Sequence, residues 1–430
     1  RESVVVDGDL RDGQLGQNFS FPIVTPPYAE STVAYTKTFN NSLRTRWEHQ
    51  QAVNSQLSVQ ASYQSMNLND LLYIFDSESF DLDFQHHFSV NDQQDLVWGL
   101  GYRRHQDQFR DTSRGVKIIP NQSTFNLFSF FLEDQIKLIP EKLNLSAGVK
   151  LEHNNFTNFE WQPSLRLIWL PDPNHRLWLA VSRAVRLPSP VEQNLYVNLF
   201  ASPPSPLTGN LPSLYSVFGR GDLQSEKLIA YEAGYRGLLT KKFSIDTSLF
   251  YNDYDQLLAA EQITPSISFE GSSPYLSIPI KTKSFGAGYN VGIELAMDWR
   301  PSDYWRLRFG YAQSYSNIKQ GVDTLYQLGR HQQISLWSSW HIQHDLDLDV
   351  WWRYTNASEI TTFTGLGTVT IDPRSSLNFR LAWRPRQDLE FSLIGMDLLN
   401  KNHLESVQEI FSPVPIAIER TIYGQLKWCF

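Results

Sequence analysis

A chain of 430 residues with a formal net charge of -8, one cysteine and 13% aromatic residues is long for one soluble domain, but one barrel can absorb it. The acidic balance argues against nucleic acid as a partner, because no basic stripe is available to displace counterions from phosphates. Cys429 alone permits neither an intrachain disulfide nor a cysteine-based metal site, and the lack of any run of about eighteen apolar residues excludes a helical membrane protein.

Alternation with a period of two runs along the chain, and helical periodicity is almost absent. The opening Ser3–Leu10 reads as a strand already within a barrel wall, preceded by no signal-peptide core, so the compartment has to be inferred from architecture. His86 and His87 are adjacent on a strand, point to opposite faces and cannot share one metal. Leu96, Trp98, Leu100 and Tyr102 oppose Gly99, Gly101 and Arg103. Leu143, Leu145, Ala147, Val149 and Leu151 oppose Asn144, Ser146, Gly148, Lys150 and Glu152. Leu346, Leu348, Val350, Trp352 and Tyr354 oppose Asp345, Asp347, Asp349 and Arg353. The three aspartates have the spacing of a calcium loop, but Val350 and Asn356 stand where that loop needs Gly and Glu, so a shared strand face explains them better. In the last strand Ile422, Leu426, Trp428 and the terminal Phe430 share a face.

The connections separate a barrel from a soluble sandwich. Short turns are expected at Asn91–Gln94, Ile139–Lys142, Pro171–Asn174, Thr240–Lys242, Pro301–Asp303, Gln343–Asp345 and Pro385–Asp388. Between them lie longer segments at His105–Gln122, Asn154–Phe159, Leu187–Ser225, Asp255–Ser284, Asn317–Arg330, Thr355–Pro373 and Asn400–Ala417. Short turns on one side and long loops on the other are the pattern of an up-and-down outer-membrane barrel, here of about eighteen strands. Trp169 and Trp178 bracket one short turn, Trp299 and Trp305 another, and Trp383 precedes a third, as a girdle at the membrane interface requires. The fold class expected is all-β: one transmembrane antiparallel up-and-down barrel over residues 1–430.

Four stretches resemble the barrel of TonB-dependent outer-membrane receptors. The first is Leu177 to Ser189 with Glu192, in which Ser182, Arg183, Arg186, Pro188 and Ser189 carry the match. The second runs from Leu223 to Arg236, with Glu226, Tyr231, Glu232, Gly234 and Tyr235, and continues at Leu249–Tyr254. The third is Asn290–Leu295, with Gly292 and Glu294, leading into Trp299-Arg300-Pro301. The fourth comprises Leu381–Pro385, Leu398–Asn400 and Tyr423 through Phe430. Two departures stand out: Asp397-Leu398 replaces the family's Asn-Leu pair, and no plug domain precedes the barrel. Since the family's barrels have about 22 strands, the resemblance implies a receptor lacking its plug and first strands here.

That resemblance implies active import of a scarce bulky nutrient, such as an iron–siderophore complex, across a Gram-negative outer membrane. The partners it implies are outer-membrane lipid, the ferric siderophore and the TonB–ExbB–ExbD complex acting through the plug. No cofactor, metal or enzymatic activity is expected, since no triad or carboxylate pair suits catalysis. Arg183 is expected to face the lumen and make ion pairs there. The long loops carry Tyr196, Phe200, Tyr215, Phe218, Arg220, Phe269 and Tyr275, aromatic and Arg side chains able to stack on and clamp a chelate. Exposed loop packing accounts for the same residues, and Arg220-Gly221-Asp222 reads as a Gly turn before the next strand. The alternative function is a passive diffusion porin of about eighteen strands; a soluble carbohydrate-active β-protein fits the girdle pattern poorly.

Overall fold

In the computed structural model all residues are described except 113–115, 220, 320–328, 362–367, 405–416 and 430. Phe430 and Arg220 of the sequence reading therefore lie outside the described residues.

Among the described residues, twenty-two strands join in one sheet. Four of them are short strands of the long loops, and the other eighteen form a meander in which each strand pairs antiparallel with the next. The first half comprises β1 (Glu2–Pro22), β2 (Ala29–Ala52), β3 (Ser55–Asn69), β4 (Tyr73–Asn91), β5 (Gln94–Asp111), β6 (Gln122–Ile139), β7 (Leu143–Asn154), β8 (Asn158–Asp172) and β9 (His175–Arg186). The second half comprises β10 (Glu226–Thr240), β11 (Phe243–Gln262), β12 (Ser273–Ser302), β13 (Trp305–Lys319), β14 (Gly329–Gln343), β15 (Leu346–Thr355), β16 (Arg374–Arg386), β17 (Leu389–Met396) and β18 (Thr421–Trp428). The architecture is the expected up-and-down one, and every second connection is a tight turn.

Alternation gives the sheet two chemically distinct faces. On the lumen side Arg44 bonds Asp7 at 3.1 Å and Arg103 pairs with Asp81. A longer network on the same side runs from His341 to Asp347 (2.5 Å), Asp347 to Arg384 (2.5 Å), Arg384 to Glu390 (2.8 Å) and Glu390 to Arg380 (2.6 Å). Asp347 and Asp349 thus serve a charged strand face, as alternation implied. The opposite face presents exposed apolar groups such as Leu179, Leu249, Val291 and Leu393.

Two aromatic rows cross that apolar face. Near the short turns, Trp299 lies 6.5 Å from Trp305 and Trp305 lies 6.3 Å from Trp340, with Trp169, Trp383 and Trp428 exposed at the same end. Trp178, expected beside Trp169 in this girdle, instead points into the lumen: its register partners Ile168 and Gly234 belong to the polar-face series, and its ring lies over Gly234. Higher up, Tyr231, Tyr251, Tyr289 and Tyr315 form a ladder with centroid spacings of 6.2, 5.8 and 6.2 Å. Tyr289 and Trp299 are ten residues apart on β12, as are Tyr315 and Trp305 on β13. Ten residues at about 3.3 Å each, on a strand tilted by about 40°, span about 25 Å, the height of an outer-membrane apolar band.

Wall strands run into two of the segments expected as long loops, His105–Gln122 and Asp255–Ser284. β5 continues to Asp111, β11 to Gln262, and β12 starts as early as Ser273, leaving only 263–272 between the last two. The local signal was present, since Ile267 and Phe269 alternate with Ser266 and Ser268, and Leu276, Ile278 and Ile280 alternate with Ser277 and Pro279. The Pro and Ser content, which usually marks loops, masked it.

Among the described residues no pairing joins β1 to β18. All eight residues of β18 are exposed, as are Glu2–Asp12 on β1. Unpaired N–H and C=O groups cost several kcal/mol each in hydrocarbon. These 430 residues expressed alone are therefore expected to lack the mobility shift between unheated and boiled samples in SDS gels that closed barrels give. A clear shift would show that β1 and β18 pair with each other.

Candidate ligand-binding surface

The long-loop end carries its own small sheet, positioned by a clamp at the rim. Arg186, the last residue of β9, forks onto Glu226 at the start of β10, with Nε–Oε2 at 2.7 Å and Nη2–Oε1 at 2.9 Å. Its Nη1 also donates to Glu192 Oε1 at 2.9 Å. Glu192 sits in the short helix α1 (Pro190–Asn194), where Ser189 is the N-cap: the Glu192 N–H donates to Ser189 Oγ at 3.1 Å and the Ser189 N–H to Glu192 Oε2 at 2.7 Å. This reciprocal cap fixes the direction in which the chain leaves the rim. Glu226 Oε1 further accepts the Leu258 N–H at 2.8 Å, which ties in β11. Arg186, Pro188, Ser189, Glu192 and Glu226 of the motif thus form one local device.

Beyond α1, strand Leu195–Ser202 pairs antiparallel with Val116–Ile118 and with Ser213–Phe218, and the latter runs parallel to Leu276–Lys281 of β12. Gly219 closes this unit by donating to Leu195 O at 2.7 Å; a Cβ there would lie 2.3 Å from Gln193 O, so only glycine fits. One face of the small sheet is apolar. Val116, Val197, Val217 and Ile280 are buried against Phe19 and Phe21 of β1, Leu72 of the β3–β4 connection and Ala260 of β11. This cluster latches the end of β1 to the loops following β5 and β9.

Alternation places the predicted aromatics on both faces. Phe200 and Tyr215 are register partners with rings stacked at 4.1 Å, and Tyr215 packs against the buried cluster. Tyr196 and Phe218 are register partners on the other face. Lys117 lies opposite Tyr196, and Lys281 lies opposite Phe218. Four neighbouring strands therefore carry one row: Lys117, Tyr196, Phe218, Lys281. Directly opposed residues on adjacent strands have Cβ atoms about 5 Å apart, so the row is an aromatic pair with an ammonium at each end. Lys117 and Tyr196 are exposed, and Phe218 and Lys281 partly so. Phe269 and Tyr275 lie on a separate hairpin, with Phe269 opposite Pro274 and Tyr275 opposite Ser268. The two lysines were not singled out in the sequence, because their positions beside the aromatics are set by pairings between distant segments.

The remaining motif residues line the wall. Ser182, Glu232, Gly234, Gly292 and Glu294 belong to the lumen face by register. A Cβ on Gly234 would lie 1.9 Å from Trp178 Cζ2, and one on Gly292 would lie 2.4 Å from Phe250 Cζ. Tyr231 belongs to the outer Tyr ladder, and the Tyr235 hydroxyl meets His175 Nδ1 at 2.7 Å. Arg183 corrects the sequence reading: alternation places it with Leu179 and Val181, opposite the lumen series. Because the β8–β9 ladder ends at Ser182–Ser164, its guanidinium reaches through the gap to Glu160 (3.5 Å) and the Trp161 carbonyl, with Trp161's ring 5.3 Å away.

A family model for the TonB-dependent receptor-like β-barrel matches residues 4–397. The chain belongs to this family. Its members are outer-membrane transport receptors of Gram-negative bacteria. No curated protein matches the chain. Among solved structures, it is similar to a variant of the ferric enterobactin receptor PfeA of Pseudomonas aeruginosa, with TM-score 0.70 and 14% identity over 92% of this chain and 62% of that one. The siderophore receptor PirA of Acinetobacter baumannii gives TM-score 0.68 at 14% identity, over 100% of this chain and 71% of that one. The FrpB iron transporter of Neisseria meningitidis gives 0.69 at 13% identity, over 99% and 69% respectively. At these identities the likeness establishes the fold, and the chain spans 62% of the length of the PfeA receptor.

Proposed function

We propose that this TonB-dependent-receptor barrel serves active uptake of an iron–siderophore complex across the outer membrane, and that its ligand is first held on the Lys117–Tyr196–Phe218–Lys281 row. The proposal includes a plug and the TonB–ExbB–ExbD complex as partners, in keeping with the family. The carrying observation is the row itself. Two aromatic faces flanked by two ammonium groups suit a bulky, anionic, aromatic chelate, by stacking and by charge. The fold-level likeness to receptors described as ferric enterobactin, siderophore and iron transporters points the same way. Phe269 and Tyr275 complete the proposed ligand surface as its rim, while the Phe200–Tyr215 pair backs it from the opposite face of the small sheet.

The test is binding of ferric enterobactin to the purified full-length gene product, followed by quenching of intrinsic fluorescence. Tyr196→Ala and Phe218→Ala are each expected to weaken binding roughly tenfold, the worth of one lost aromatic stack. Unchanged affinity in both would remove the row from the site. Failure of the unaltered protein to bind any ferric siderophore would overturn the uptake reading itself.

A further inference from the structure

The outer face of the wall carries a groove of its own, across β4 to β8 and below the long loops. Register sets one row there: Leu82, Tyr102, Phe128, His153 and Phe159 are successive partners on five adjacent strands. With Leu100 and Leu151 of the row beneath, they line an apolar groove of about 540 Å³. The Tyr102 and Phe128 rings lie 4.8 Å apart, and the Tyr102 hydroxyl donates to Asn126 Oδ1 at 3.1 Å, which fixes the upper rim. Directly above, Arg104 is the partner of Phe80 on one side and of Asn126 on the other. It shares the outward face with Leu100 and Tyr102 and is exposed. Its side chain makes no ion pair or hydrogen bond among the described residues, whereas the next residue, Arg103, faces the lumen and pairs with Asp81. Arg104 stands ten residues beyond Gln94, where β5 leaves its short turn, and His153 stands ten beyond Leu143 on β7. Tyr315 of the upper ladder stands ten beyond Trp305 in the same way. Arg104 and His153 are therefore at the upper edge of the apolar band, where the headgroups of the outer leaflet begin.

We infer that Arg104 and the groove beneath it bind a phosphorylated lipid of the outer leaflet, its phosphate on the guanidinium and an acyl chain in the groove. An outward charge is costly within the band and tolerated at its edge, where it meets headgroups. The guanidinium fork matches phosphate oxygens, and a basic group beside an apolar groove is the arrangement that holds a charged lipid in place. His153, two strands away at about 4.8 Å each, offers the same headgroup a second donor. Aromatic walls of fixed direction suit an extended chain, which a free anion would leave unused. The site faces away from the lumen and lies below the loop surface, so neither a plug nor the loop ligand competes for it. It stands whether or not the loop row binds a siderophore.

The probe is diphosphoryl lipid A, titrated into the full-length gene product in detergent micelles, with bound lipid read by native mass spectrometry. Saturable binding is expected, weakened about fivefold by Arg104→Gln, the effect of one basic side chain on a headgroup. Arg104→Gln breaks no contact within the protein, so a folding defect should not cloud it. Lipid A stripped of both phosphates should bind the unaltered protein as weakly as the intact lipid binds Arg104→Gln. Leu100→Trp, which fills the groove and keeps the charge, should also weaken binding. Arg103→Gln removes the same charge from the opposite face and should leave the affinity unchanged. Absence of saturable binding overturns the site, as does unchanged affinity in Arg104→Gln or in Leu100→Trp. Equal weakening by Arg103→Gln overturns it too, since that would reveal a diffuse charge effect.

Discussion

Arg186→Ala is expected to release the 187–225 segment from the barrel rim while the eighteen-strand wall stays folded. The guanidinium joins two carboxylates from different elements, and its loss strands both. Hydrogen bonds to charged groups contribute about 1.5–3 kcal/mol when well formed. Arg186 is 51% exposed, so solvent screening brings the joint value to about 2 kcal/mol. That is roughly a thirtyfold rise in the open population of the loop. Protease cleavage within 187–225, compared between unaltered protein and variant, reads it directly. Arg186→Lys keeps the charge but not the fork and should fall between them. An unchanged cleavage rate with intact binding would mean that the buried cluster around Val197 alone holds the loop.

Gly234→Val is expected to damage the wall itself. The added Cβ would sit 1.9 Å from Trp178 Cζ2, inside the indole, and neither strand can yield because each pairs on both sides. Overpacking of this kind costs about 3 kcal/mol and forces the ring off its position. The unfolding midpoint in urea should fall accordingly. The double variant Trp178→Ala/Gly234→Val should be less destabilised than the two single costs added together, because the valine then fills the space the indole leaves. Strict additivity would show that the ring does not press on position 234. Gly292, under Phe250, should behave in the same way.

The wall was legible from the sequence because its determinants are local. Leu143 to Glu152 shows its two faces in ten successive residues, and the turn at Pro301–Asp303 is flanked by the indoles that prove to be neighbours, tilted with centroids 6.5 Å apart. Direction along the strand was harder to read. Trp178 and Arg183 were assigned to the wrong faces, since a strand's parity is set by its register with β8 and β10 and not by its composition. The loop surface was legible only as a list of aromatics. Which of them stand together depends on Val116–Ile118 meeting Leu195–Val197 and on Ser213–Phe218 running parallel to β12, pairings between segments far apart in sequence. The fate of Phe430 and Arg220 lies outside the described residues.

The apolar cluster under the small sheet also sets a timetable. Each hairpin of the wall can close on its neighbour as soon as that neighbour is made, because the contacts are short-range. Phe19 and Phe21 cannot reach their final environment until Ile280 has arrived from the far side of the chain. The end of β1 must therefore wait, with two aromatic rings uncovered, through the making of eleven further strands. That interval is when an assembly chaperone would have most to protect, and the latch closes late because its parts are the most distant in the chain.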